Sequence, residues 1–283
     1  GLGDVYKRQG LVTKVTERKL IRANYPILGV PIIRGAVTFI GSMITGVKAL
    51  MFSADYFPED ENAKPDKVEA WLEKHVPADK LQNLLVVFSV ILSIGMMLVL
   101  FMLLPTFLAG LFHAQSAAVH NIIEGVVKVL VLLGYMILCS RQKDVHRVFC
   151  YHGAEHKTIF CYEAGLPLTV ENVRVQPRHH PRCGTSFLIL VVIVSVFLYS
   201  VLPWGSIGLR VLFKLLLLPL VMGISYELLK WCGRSDNIAT RIIRQPGIWV
   251  QHLTVFEPDD SMIEVAIAAI TPVLPENPEE GKW

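Results

Sequence analysis

From Leu84 to Leu104 the chain reads LLVVFSVILSIGMMLVLFMLL, without a single charge, and meets a proline at 105. A helix of about 20 apolar residues matches the hydrocarbon core of a bilayer. This stretch therefore predicts a membrane span. Composition agrees. The chain is 53% hydrophobic and 18% charged, where a soluble domain usually carries about 25% charge. Its mean hydropathy is +0.48.

Three further segments are candidate spans. Val119–Cys139 carries Glu124 and Lys128, four apart and in the order that lets them pair on one helix face. Phe187–Leu202 is apolar but short. Leu209–Leu229 contains Lys214 and Glu227. The four spans pair into two hairpins, whose connections PTFLAGLFHAQSAA and PWGSIG have no Lys or Arg, while all other flanks are basic. The positive-inside rule then puts both termini and residues 140–184 in the cytoplasm. The expected fold is all-α: a polytopic membrane helix bundle of about four spanning helices in two hairpins, with interfacial and cytoplasmic helices added, in a bacterial cytoplasmic membrane.

Along the chain, residues 1–9 read as a sequencing artefact that hides the true start. Residues 10–80 form an amphipathic and soluble segment, 81–139 the first hairpin, 140–184 a cytoplasmic segment, 185–230 the second hairpin and 231–283 a cytoplasmic end. Ile32–Leu50 has a narrow polar stripe (Arg34, Thr38, Ser42, Thr45, Lys48), as an interfacial helix would; a fifth, partial span fits it equally. Asp55–Asn62 reads as an acidic loop and Pro65–His75 as a short helix. Ser261 with Glu264 reads as a capping box, and the tail after Thr271 as loose. The five cysteines lie in or near the cytoplasm and are expected to be reduced thiols. A net charge of +3 without a basic, aromatic-interleaved stripe gives no nucleic-acid partner. No triad, G-x-G-x-x-G or phosphate loop is visible, so hydride and phosphoryl transfer have no support.

The chemistry concentrates in YHGAEHKTIFCYE, residues 151–163. Read as a helix running from Arg141 to Ala164 and stopped by Gly165 and Pro167, it places His152, Glu155 and His156 within an arc of roughly 100°. H-x-x-E-H is the inverse of the zinc motif H-E-x-x-H. Two imidazoles one turn apart can grip one ion, and the carboxylate can act as a general base on water. The competing expectation is a polar cluster where a helix meets headgroups. A second cluster, RHHPRCGTS from Arg178, offers His180 and Cys183 at chelate spacing. Four ligands, His152, His156, His180 and Cys183, would close a structural site; three would leave a position for water or substrate. Glu163 lies on the same face as His156 but two turns further, about 10 Å along the axis, too far on a straight helix to share the ion, and could orient substrate. Glu227 could be a ligand, an acceptor behind the ligands or a base, or simply pair with Arg182 or Lys230.

YHGAEHKTI, HPRCGTSFL, ISYE and EPDDSMIEVAIAA, in that order, resemble the YqhQ-like family of bacterial membrane proteins, a domain of unknown function described as a predicted metal-dependent enzyme. The resemblance runs from about Pro31 to Ile270. It implies importance for His152, Glu155, His156, His180, Arg182, Cys183 and Glu227, and supplies no substrate. The expectation is a metal-dependent membrane hydrolase that uses a divalent ion, zinc by default, with Glu155 as base. Its partners would be the lipid bilayer and an unknown substrate. The alternative is a non-catalytic transporter, insertion factor or scaffold with a structural metal.

Overall fold

The computed structural model describes residues 25–54, 78–112, 116–202 and 206–274. The acidic loop, the 65–75 helix, the first nine residues and the chain beyond 274 lie outside them. Among the described residues all regular structure is helical: α1 Ile33–Ala54, α2 Ala78–Leu98, α3 Leu104–Gly110, α4 Ala117–Ser140, α5 Lys143–Glu163, α6 Val170–Arg174, α7 Gly184–Tyr199, α8 Ile207–Arg234, α9 Ile238–Thr254 and α10 Asp260–Ile270. Among the described residues, four stretches are long and apolar enough to cross a membrane: Ile33–Ser53, Val87–Gly110, Ala118–Ser140 and Gly208–Arg234. The protein is an all-helical membrane protein.

The boundaries of three elements differ from those read off the sequence. The first span does not end at Pro105. Residues 99–103 widen into a π turn, in which Leu104 N donates to the Val99 carbonyl, and the helix runs on as α3. Proline removes one N–H and crowds the preceding turn, and a π insertion is a common way to absorb that inside a helix. The segment expected to span at 187–202 is the 16-residue helix α7, about 24 Å long and so shorter than a bilayer core of about 30 Å. Ile32–Leu50 is realised as α1, packed on α8 where a Cβ on Gly35 would lie 2.7 Å from Tyr226 Cβ.

Helix starts follow local chemistry. Ser116 and Ser206 cap α4 and α8, accepting from the N–H three residues on. Asn237 and Thr240 form a reciprocal capping box at α9. At α10 the cap is Asp259 rather than Ser261: its carboxylate accepts from Met262 N at 2.9 Å, while Ser261 Oγ donates to the same carboxylate at 2.5 Å. An ionised acceptor gains from the helix dipole as well as from the hydrogen bond, and the hydroxyl is left to brace it.

Three apolar clusters hold the bundle. Val194, Tyr199 and Val221 join α7 to α8. Leu132, Met136, Ile189, Val192 and Val250 join α4, α7 and α9. Cys150, Ala154, Cys161, Val173, Met262 and Ile263 join α5, α6 and α10. Since α4 ends at 140 and α7 begins at 184, the α5–α6 segment sits at one end of the bundle, where α9 and α10 close over it. The Asn121–Ser200 hydrogen bond marks the other end. The apolar stretch of α2 from Val87 to Met97 is exposed throughout, as a face in contact with lipid would be.

Candidate metal centre

Helix α5 is not a continuation of α4. Gln142 leaves the helical region (ψ 132°) between them and redirects the chain. The buried residues Cys150, Gly153, Ala154, Lys157, Thr158 and Cys161 recur at helical spacing and form one face. Gly153 is required there, because a Cβ would run into the Phe256 carbonyl. The helix stops at Gly165, whose φ of +67° suits glycine; Leu166 N then reaches back to the Cys161 carbonyl at 3.1 Å.

On the flank of that face lie His152 and His156, with ring centroids 4.4 Å apart. His152 Nδ1 is 3.0 Å from the Thr254 carbonyl and His156 Nδ1 is 2.6 Å from the Arg178 carbonyl. A carbonyl only accepts, so each Nδ1 carries the proton. Each ring therefore presents Nε2 inward. His152 Nε2 is 3.1 Å from Cys183 Sγ. Donor atoms of His152, His156 and Cys183 all fall within 4.8 Å of one another.

Cys183 is the N-cap of α7. Its sulfur accepts from Thr185 N at 3.5 Å and lies 3.2 Å from Thr185 Oγ1. Burial works against a thiolate here, but hydrogen bonds from His152 and His156 and their charge outweigh it and bring the thiol down to about 5. Burial likewise opposes the His152 imidazolium, yet the Cys183 sulfur, the Thr254 carbonyl and the Glu155 charge raise it above its ordinary value.

A family model described as a protein of unknown function, DUF1385, matches residues 30–276. The chain belongs to the DUF1385 family. It is 38% identical over 265 residues to uncharacterized protein YqhQ of Bacillus subtilis (strain 168), covering 90% of this chain and 82% of that relative. No solved structure matches.

The other sequence-predicted residues of this DUF1385 protein occupy distinct places. Glu155 is exposed, on the α5 turn between the two histidines. His180 is buried but its ring turns from the sulfur: Nε2 lies 3.5 Å from Glu163 and Nδ1 accepts from Arg182 N at 3.2 Å. Burial holds the His180 imidazolium below its ordinary range although Glu163 works the other way. Arg182 pairs with Glu163, so these three form a polar group beside the histidine–cysteine group. Glu227 receives Arg34 through both carboxylate oxygens, with Arg34 Nε at 2.6 Å, and lies 3.4 Å from Ile32 N. It fastens the start of α1, where Ile32 holds a φ of 74°, and pairs with Arg34 rather than with Arg182.

Sequence reasoning missed the residues that hold the cluster. Gln251, fully buried, accepts from His180 N and donates to the His180 carbonyl, both at 2.8 Å, and reaches Ser186 Oγ at 3.2 Å. One amide thus reads the backbone of the 178–183 loop as a neighbouring strand would. Lys157, also buried, donates to the Arg174 carbonyl at 2.8 Å and pairs with Glu257, tying the end of α6 and the 255–259 segment to α5. Gln251 lies on the buried side of an amphipathic helix, a signal that could have been read. The Thr254 and Arg178 carbonyls are backbone atoms, for which side-chain identity gives no sign.

Proposed function

We propose that this protein is a metal-dependent membrane enzyme, a hydrolase that carries a zinc ion on His152, His156 and Cys183. One observation carries the reading. Both imidazoles are fixed by backbone carbonyls at Nδ1 and turn Nε2 toward a cysteine sulfur, the arrangement by which hydrogen bonds behind the ligands orient zinc-binding histidines. Two nitrogens and a thiolate suit zinc, and three protein donors leave a four-coordinate ion one further position. When bound, the ion supplies Lewis-acid activation of water or of a substrate oxygen. The exposed Glu155 carboxylate takes the proton from the attacking water. Glu163 and Arg182, backed by the buried His180, line the adjacent surface and orient the substrate.

Arg141, Lys143, Arg147, Arg174, Arg178, Arg182, Arg241 and Arg244 all lie at the end of the bundle that bears the site, and the two connections at the far end contain no Lys or Arg. That bias supports a cytoplasmic site with both termini cytoplasmic, in a bacterial cytoplasmic membrane.

The test is elemental analysis of the full chain purified in detergent, with turnover measured on a panel of chromogenic phosphate ester, carboxylic ester and peptide substrates. Wild type and Glu155→Gln are expected to hold one equivalent of zinc, His156→Ala none, and only wild type to turn over. Folded, active protein without metal would refute the reading. Full turnover by Glu155→Gln would remove Glu155 as the base, and folded wild type that holds zinc but turns over no substrate would favour a non-catalytic protein in which the ion ties the central loop to the bundle.

A further inference from the structure

A second cluster of charge lies at the opposite end of the bundle, inside the apolar segments. Helix α4 contributes Glu124 and Lys128, and helix α8 contributes Arg210 and Lys214. Their exposures are 4%, 9%, 1% and 1%. Glu124 accepts from Arg210 Nη2 at 2.8 Å, from Thr106 Oγ1 at 2.9 Å and from Lys214 Nζ. Arg210 also donates to Asn121 Oδ1 at 2.7 Å, and Lys214 to Thr106 Oγ1 at 2.8 Å.

The carboxylate is thus shared by two cations, and a third stands beyond it. Lys128 Nζ lies 3.4 Å from Ser195 Oγ and 5.0 Å from the centroid of the Tyr199 ring. Ser195 donates its own proton to the Val192 carbonyl at 2.7 Å, so it meets Lys128 with a lone pair. Lys214 Nζ lies 6.0 Å from the centroid of the same ring, so both ammonium groups contact Tyr199. Among the described residues, three cations gather about one carboxylate here, a surplus of two positive charges. Buried charge of one sign is costly unless a counter-charge meets it, and ionisable groups at membrane depth mark binding or transport sites by default.

The cations are also ordered in depth. From the starts of their helices, Arg210 lies about 5 Å in, Lys214 about 10 Å and Lys128 about 16 Å. They form a run from the bundle end toward its middle.

We propose that Arg210, Lys214 and Lys128 form a binding site for a doubly charged oxyanion of the phosphate-monoester type, entered from the end of the bundle opposite the histidine–cysteine cluster. Such a group carries a charge of about −1.5 to −2 at neutral pH, which matches the surplus. It arrives either as free phosphate or as the headgroup of a phosphomonoester lipid. Lys128 donates to it directly, and the Tyr199 ring holds both ammonium groups beside it.

The experiment is thermal unfolding of the full chain, followed by tryptophan fluorescence. Inorganic phosphate is titrated in detergent against chloride at matched ionic strength, and nanodiscs containing phosphatidic acid are compared with nanodiscs containing phosphatidylglycerol. Saturable stabilisation by phosphate but not chloride, or by phosphatidic acid over phosphatidylglycerol, is expected; which of the two acts identifies the source. Lys128→Met should weaken the effect at least about tenfold, the loss of one charged hydrogen bond, and Lys128→Arg should restore most of it. Ser195→Ala, a milder change that tests the site if Lys128→Met does not fold, should weaken it about threefold. No saturable response to any probe, or unchanged affinity in the folded variants, overturns the proposal.

Discussion

Replacing Gly153 by alanine adds one methyl group in the middle of the H-x-x-E-H helix, and its effect follows from where that methyl would go. The new Cβ meets the backbone carbonyl of Phe256, with Phe256 C at 3.2 Å and Pro258 Cδ at 3.4 Å. None of these is the tip of a flexible side chain. Ordinary carbon–oxygen contacts are about 3.3–3.6 Å, so the 255–258 segment must retreat by on the order of 1 Å. In an exposed helix the substitution would gain about 1 kcal/mol of helix propensity. Here a backbone carbonyl in the way puts overpacking toward the upper end of about 1–3 kcal/mol, and the net expectation is destabilisation of up to about 2 kcal/mol. The second effect is larger for function. Thr254, two residues before Phe256, gives His152 its Nδ1 acceptor at 3.0 Å, and a shift of that size carries the pair outside hydrogen-bonding range. Loss of such a partner behind a metal ligand lowers affinity about 10–100-fold. Unfolding in detergent and competition for zinc against a calibrated chelator measure both. A variant as stable as wild type and equally tight for zinc would show that the 254–258 segment does not lie against α5 and does not orient His152.

Glu124→Gln strands Arg210 and Lys214 without their carboxylate, and breaking a buried pair in this way costs about 3–5 kcal/mol, read as a lower unfolding midpoint in detergent; an unchanged midpoint would contradict the shared-carboxylate geometry. Arg174→Ala, which removes an exposed pair with Asp260, should leave that midpoint unmoved. In metal-free protein the ultraviolet thiolate band of Cys183 should titrate at about 5, with thiolate above and thiol below; a midpoint near the ordinary 9.0 would remove the imidazole–sulfur contact. The linked stability has two edges. The Cys183 contribution, from a depressed group, is lost as pH falls through about 5. The His152 contribution, from a raised group, is complete below 6.5 and lost as pH rises through its folded value.

What the residues revealed and what they concealed divide along physical lines. Length and apolarity made Leu84–Leu104 legible as a span, because transfer into lipid depends on composition summed over a window. The same sum misplaced its end at Pro105, since a π turn is a backbone adjustment with no composition of its own. The helical period brought His152 beside His156, and the fold adds Cys183 from across the loop. The period said nothing of His180, only three residues from Cys183, whose ring is turned toward Glu163 by the path of the loop. Glu227 was legible as an important carboxylate near a helix end, but its partner, Arg34, lies almost two hundred residues away, and such distant pairing is set by how α1 crosses α8 rather than by any local pattern.

The clasp that Gln251 places on the 178–183 loop and Thr254 on His152 has a consequence for how the molecule is made. His152 and His156 leave the ribosome first, Cys183 follows with the start of α7, and the carbonyl that steadies His152 arrives only with α9. A chain halted after its first hairpin holds neither the sulfur nor the clasp. On the proposed metal reading, cation capture would be deferred until synthesis is nearly complete, and retention of an ion would distinguish finished molecules from stalled ones.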